Sequence, residues 1–157
     1  MILWTDGSAN PNPGPGGFAV IREGIPVVMG YEKDSTNIRM EGAAIISAIR
    51  YANGESLEIN TDSEFWLNVL TKWAPTWEEN GWKKKKGEIQ NLEMVQLAYE
   101  LYMQNDVKLV WTRGHVGTEF NEKADEWANM ARKKKCPKGF IVTDPILTTI
   151  NVVKETK

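Results

Sequence analysis

Four carboxylates, Asp6, Glu41, Asp62 and Asp125, stand near the edges of predicted elements. Asp6 follows the apolar run Ile2-Leu3-Trp4-Thr5 and precedes Gly7-Ser8, and Asp62 follows Leu57-Glu58-Ile59-Asn60-Thr61 and precedes Ser63. Glu41 opens a helical pattern just after Met40, and Asp125 lies in another that begins near Phe120. Acids at strand ends and helix starts can converge on one point, where they repel unless a counter-charge joins them. A hard divalent cation, which takes oxygen ligands, is the usual one. Metal-dependent phosphoryl transfer is therefore the first chemistry to consider. Taken singly, each acid also has an ordinary reading: a turn residue for Asp6 or Asp62, a group favoured near a helix N-terminus for Glu41, a solvated helix position for Asp125. His115, the only histidine, lies in Gly114-His115-Val116-Gly117. The flanking glycines allow movement, and imidazole passes protons near neutral pH.

The elements that must position these groups can be read from periodicity. Met1 to Thr5 reads as a short buried strand, and Gly17 to Arg22 and Pro26 to Tyr31 read as two more, joined by a turn at Glu23-Gly24. Between the first two, Asn10-Pro11-Asn12-Pro13-Gly14-Pro15-Gly16-Gly17 is a run of turn formers that excludes helix and central strand. The three strands form an antiparallel meander, because the second connection is too short for a crossover. Apolar residues at Met40, Ala44, Ile45, Ala48, Ile49 and Ala52 give a helical period that Asn53-Gly54 stops. Leu57 to Thr61 is a fourth strand, parallel to the first. A helix from about Ser63 to Trp73 should end before Pro75, because the residue ahead of a proline avoids the helical region. Asn91 to Gln104 is a further helix, Val107 to Trp111 a fifth strand, and Phe120 to Lys135 a last helix. The sum is one α/β domain with a mixed sheet, followed by a tail, 136–157, that carries no clear pattern.

Composition agrees with a single soluble globular domain. The chain has 157 residues, 41% hydrophobic and 25% charged. No apolar stretch is long enough to span a bilayer, and no signal peptide is recognisable. Cys136, the one cysteine, permits neither an intrachain disulfide nor a thiolate zinc site, which suits a reducing, cytoplasmic setting. The net charge of −2 argues weakly against nucleic acid, but local patches act locally. Two basic runs stand out, Lys83-Lys84-Lys85-Lys86 and Arg132-Lys133-Lys134-Lys135. Either could be a solvated surface. The first is distinctive because it follows Trp73, Trp77 and Trp82.

Together these residues spell a known pattern. Thr5-Asp6-Gly7-Ser8, Asn12-Pro13-Gly14-Pro15-Gly16-Gly17, Thr36-Asn37-Ile38-Arg39-Met40-Glu41 and Thr61-Asp62-Ser63 resemble successive motifs of type 1 ribonuclease H. Trp111-Thr112-Arg113-Gly114-His115-Val116-Gly117 and Asn121-Glu122-Lys123-Ala124-Asp125 resemble its final motif, and the stretch from Trp73 to Asn91 resembles the basic protrusion of bacterial members. The resemblance runs in order over residues 1–135, with the protrusion at about 74–91. It implies a ribonuclease H-like fold, a five-stranded mixed sheet flanked by helices. It also implies hydrolysis of the RNA strand of RNA–DNA hybrids, leaving 5′-phosphate and 3′-hydroxyl ends, with two Mg²⁺ ions or Mn²⁺ in their place. Asp6 would bridge the ions, Asp62 would help hold them, Glu41 would bind on the leaving-group side near the 2′-hydroxyl, and Asp125 on the water side. His115 would serve proton transfer or product release rather than ligation.

Discrimination of RNA from DNA must use the 2′-hydroxyl, and the candidates to read it are Glu41, backbone groups around Ser8 to Asn12, and Glu64. Close bacterial relatives often carry glutamine where Glu64 stands, and an ionised glutamate accepts but cannot donate. Thr36 and Asn91 would hold a DNA phosphate, with Asn12, Asn37 and Trp73 along the groove. Lys83, Lys84, Lys85 and Lys86 would supply sequence-independent attraction to phosphates, with Trp77 and Trp82 as packing support. A monomer with no obligate protein partner and no membrane attachment is expected. Two other functions compete: a hybrid-binding module without catalysis, which the intact acid set opposes, and a resolvase- or integrase-like DNA nuclease. The latter lacks the combination of the Gly-His-x-Gly loop and a tryptophan–lysine protrusion.

Overall fold

The computed structural model describes residues 1–84, 87–112 and 119–135. His115, Lys85, Lys86 and the tail lie outside the described residues, so the expectations placed on them are not tested by it. Five strands form one mixed sheet in the order β3-β2-β1-β4-β5, with β1 at Ile2–Ala9, β2 at Gly14–Arg22, β3 at Ile25–Ser35, β4 at Leu57–Thr61 and β5 at Val107–Trp111. The first three are antiparallel, while β1, β4 and β5 run parallel, as the connection lengths require.

Alternation along the strands assigns each face a different helix layer. Leu3, Ile59, Phe18 and Val20 point into the larger core with Ile45, Ile49, Trp66 and Met94. This layer is built from α1 (Asn37–Ala52), α2 (Glu64–Asn68), α3 (Ala74–Glu79) and α4 (Leu92–Gln104). Ala19, Ile21 and Met29 point the other way, against Ala124, Ala128 and Ala131 of α5, which spans Glu119–Arg132. Alanines at those three positions let α5 lie close to the sheet. Among the described residues no helix is long and apolar enough to cross a membrane.

Several boundaries differ from the sequence expectation, and each difference has a cause. β1 continues past Thr5 to Ala9, because β2 goes on pairing with it up to Ala9 opposite Gly16. The turn-former run is consequently shorter than expected. Gly14 to Gly17 belong to β2, which is a central strand after all, and the register slips between Gly14 and Gly16. Pro15, which has no N–H to give a ladder, sits at that irregularity. β3 extends to Ser35, and α1 starts at Asn37 with Thr36 as its N-cap, the hydroxyl accepting from the Arg39 N–H at 3.1 Å. Glu41 therefore lies in the second turn, not at the helix opening.

The helix after Asp62 does not end ahead of Pro75. It passes through a π turn at Val69–Trp73 and continues as α3, with Pro75 in the first turn of the new segment and Ala74 in helical conformation. The wider π turn and the first-turn position together remove the usual conflict with a proline. α4 begins at Leu92 rather than Asn91, and α5 ends at Arg132, short of Lys135.

Candidate active site

Strand register brings the first two acids together. β1 and β4 are parallel with Thr5 opposite Thr61, so the next residue on each strand is an aspartate at the same level. The parallel ladder ends there, while the antiparallel side of β1 runs on. Asp6 thus keeps its pairing with Ala19 of β2 while the ladder to β4 stops one residue before it. It is 6% exposed, and its carboxylate accepts the Gly7 N–H at 2.9 Å.

Gly7 also admits the third acid. A Cβ there would run into the backbone of Met40 and Glu41. Only glycine lets the second turn of α1 press on β1 at this point, and that contact delivers Glu41. Carboxylate oxygens of Asp6, Glu41 and Asp62 lie within 4.8 Å of one another. Asp125 arrives from the opposite layer. A Cβ on Gly17 would run into the backbone of Ala128 and Arg132, so α5 likewise rests directly on the sheet. Asp125 then reaches Asp6 and shares a hydrogen bond with it. It is not part of the compact triplet but flanks it through Asp6.

Burial and mutual repulsion show in the proton affinities. Desolvation, then the charges of Asp62 and Asp125, push the Asp6 carboxyl up to about 9. Desolvation followed by the Asp62 charge raises Glu41 to about 7, against a hydrogen bond from Ser63 that pulls the other way. Cations contribute to neither shift. A compact set of hard oxygen donors, one of them the buried Asp6, fits a divalent cation.

Residues to which the sequence assigns no separate role support the acids. The Ser63 hydroxyl accepts from the Trp66 N–H at 3.2 Å, capping α2, and also donates to Glu41. The Trp66 indole donates to the Ile38 carbonyl at 2.7 Å, which fastens α2 to the first turn of α1. Thr112 donates through its backbone to Thr61 O at 2.7 Å, and through its hydroxyl to the Asn121 side chain at 3.4 Å. S/T-x-x spacing at Ser63 is a recognisable cap signal, but its bond to Glu41 is a tertiary contact with no local signature.

The expected substrate residues occupy distinct places. Ser8 donates to Asn129 of α5 at 3.3 Å. Asn37 accepts the Ala9 N–H at 2.7 Å, and Asn12 accepts the Asn37 N–H at 3.2 Å, so both brace the β1–β2 turn against α1. Thr36 spends an acceptor on its cap and retains a proton to donate. Asn91 has left-handed backbone and its side chain does not cap α4. Glu64 is exposed at the start of α2. Trp73 is 40% exposed, with Trp77 and Phe65 at ring distances of 6.1 and 6.0 Å. Trp77 and Trp82 pack against the main core, in keeping with a supporting role. Lys83 and Lys84 are exposed on the segment beyond them.

A mixed sheet covered by helices on both faces, with carboxylates converging from two strands and both helix layers, is the architecture of a metal-dependent phosphoryl-transfer enzyme. The model of the RNase H family matches residues 1–133, and the chain belongs to that family. It is a nuclease, a hydrolase acting on phosphodiester bonds, and the family is divalent-metal dependent. It is 39% identical over 141 residues to ribonuclease H of Hyphomonas neptunium, covering 83% of this chain and 89% of the relative. With ribonuclease H of Methylorubrum extorquens it shares 35% over 137 residues, 85% of this chain but 60% of that longer protein. Among solved structures, LC9-RNase H1, a type 1 RNase H with the type 2 active-site motif, is 28% identical with a TM-score of 0.72, covering 91% of this chain and 77% of that one. LC11-RNase H1 in complex with RNA/DNA hybrid is 26% identical with a TM-score of 0.59, covering 85% and 96%.

Proposed function

We propose that this chain cleaves the RNA strand of RNA–DNA hybrids at the four-carboxylate site, using two Mg²⁺ ions and leaving 5′-phosphate and 3′-hydroxyl ends. The observation that carries the reading is the triplet of carboxylates with oxygens within 4.8 Å of one another, flanked by Asp125. Divalent cations bound there supply positive charge to the attacking and leaving oxygens of an in-line displacement. Asp6, central to the set and most deeply buried, would be shared by both ions. Asp62 would help hold them, Glu41 would serve the leaving-group side near the ribose 2′-hydroxyl, and Asp125 the side of the attacking water. His115 would move the proton or speed product release.

The 2′-hydroxyl distinguishes RNA from DNA, and the reading places Glu41, Ser8, Asn12 and Glu64 on the RNA side of the groove. Thr36 and Asn91 would hold a DNA phosphate, Thr36 through its remaining hydroxyl proton, with Asn37 and Trp73 alongside. Lys83 to Lys86 would add attraction to the backbone. The chain would act as a monomer in the cytoplasm. Asp6→Asn tests the assignment: cleavage should fall by at least about a thousandfold, a loss of roughly 4 kcal/mol of transition-state stabilisation, while hybrid binding persists. Substantial residual cleavage would remove Asp6 from the centre of the mechanism.

A further inference from the structure

Of the seven tryptophans, two are exposed, Trp73 at 40% and Trp111 at 42%. Trp73 has a place in the groove, whereas Trp111 has none so far. An exposed apolar side chain says little by itself. The informative point is where this ring is held. Trp111 is the last residue of β5 and stands opposite Thr61, the residue before Asp62. Its indole N–H donates to the Asp62 carbonyl at 3.3 Å, and the next residue, Thr112, donates through its backbone to Thr61 O at 2.7 Å. Side chain and backbone are both tied beside a metal-binding aspartate. β5 is the outermost strand on this side of the sheet, so among the described residues no further strand covers the ring. A large aromatic surface is therefore fixed, unburied, one residue in register from the acids.

We propose that Trp111 is a substrate-contacting residue whose indole face packs against the ribose of the cleaved strand next to the scissile phosphate. This rests on the hybrid-cleaving reading above. The strand follows from the anchor: Asp62 would seat the phosphate being cut, so the ring bonded to its carbonyl neighbours that strand and not its complement. The sugar follows from the duplex. Paired bases stay stacked, and extruding one costs a few kcal/mol, so a ring outside the helix meets sugar rather than base faces. The contact is apolar and carries no sequence preference, as suits an enzyme that cuts hybrids generally.

Two substitutions separate the ring from its N–H. In an Asp6→Asn background that binds without cutting, Trp111→Leu should weaken hybrid affinity about tenfold, in the range of aromatic contacts to nucleic acid. Trp111→Phe, which keeps an aromatic face, should stay within about threefold of its parent by the same scale. Fluorescence anisotropy with a labelled hybrid reads both, and thermal melts check folding. In the protein with native Trp111, the indole ¹⁵N–¹H signal, assigned with Trp111→Phe, should shift on saturation with hybrid. An unmoved signal would overturn the proposal even if Trp111→Leu failed to fold. Equal losses in Phe and Leu would also overturn it, since the bond to Asp62 and not the ring would then matter. If the protein with native Trp111 bound no hybrid at all, the functional reading would fall first. Binding indifferent to Trp111 would sink this inference alone.

Discussion

At the scale of single residues, the site is a store of unfavourable charge. Asp6 sits among other carboxylates, and folding still buries it. In the metal-free protein its carboxyl keeps a proton up to about 9, whereas in the unfolded chain it ionises near its ordinary 3.8. Glu41 behaves alike, raised from 4.5 to about 7. The folded state thus binds more protons across these windows, so this part of the stability is present below the unfolded values and is lost as pH rises through the folded ones. Without metal, Asp6→Asn should be more stable than the parent protein at pH 8, by ~1 kcal/mol or more, since each tenfold change in proton affinity on folding is worth about 1.4 kcal/mol. The gap should close toward pH 4. Urea unfolding in chelator at several pH values measures it, and a parent protein more stable than the variant at pH 8 would contradict the account. Added Mg²⁺ should reverse the order by binding the folded parent.

At the scale of elements, two glycines decide whether the acids meet. Gly17→Ala would push α5 off β2, because the added methyl meets the backbone of Ala128 and Arg132. Overpacking of this kind costs about 1–3 kcal/mol. Asp125 should retreat with the helix, so kcat at saturating hybrid should drop more than the stability loss alone explains. Unchanged kcat would show that α5 has room to adjust. Thr36→Ala should cost about 1 kcal/mol through the lost cap, and Thr36→Ser should restore it. If Thr36 also holds a phosphate, Thr36→Ala should raise KM as well; unchanged KM would confine the residue to capping. Strand alternation, the α1 period and the Asp-terminated blocks made the meander, the parallel β4 and the closeness of Asp6 to Asp62 legible in the sequence. The helix through Pro75 was not legible, because a π turn is set by packing that no local signal announces. The strand at Gly14 to Gly17 was hidden for a related reason, since pairing on both sides overrides turn propensity. Ser63 and Gly7 share that obscurity, because their roles arise from α1 leaning on β1, and periodicity does not say which strand a helix meets.

At the scale of the molecule, a net charge of −2 coexists with a proposed polyanionic substrate. Local placement reconciles them: Asp6, Glu41 and Asp62 are gathered at one point while Lys83 and Lys84 stand exposed beyond the tryptophans. Replacing Lys83 to Lys86 with alanine should raise KM several-fold at about 0.1 M salt, where exposed charges act over roughly 10 Å. It should leave kcat nearly intact and flatten the dependence of binding on salt. An unchanged KM would make these lysines ordinary solvated residues. A sheet with helices on both faces would offer the hybrid a surface on which phosphate, ribose and complementary strand are recognised by different elements. The most direct test of that claim compares matched RNA–DNA, RNA–RNA and DNA–DNA duplexes, each with Mg²⁺ and with chelator. The account predicts cleavage of the RNA strand of the hybrid alone, only with Mg²⁺, giving 5′-phosphate ends. Comparable cutting of the DNA–DNA or RNA–RNA duplex, or cutting in chelator, would contradict it.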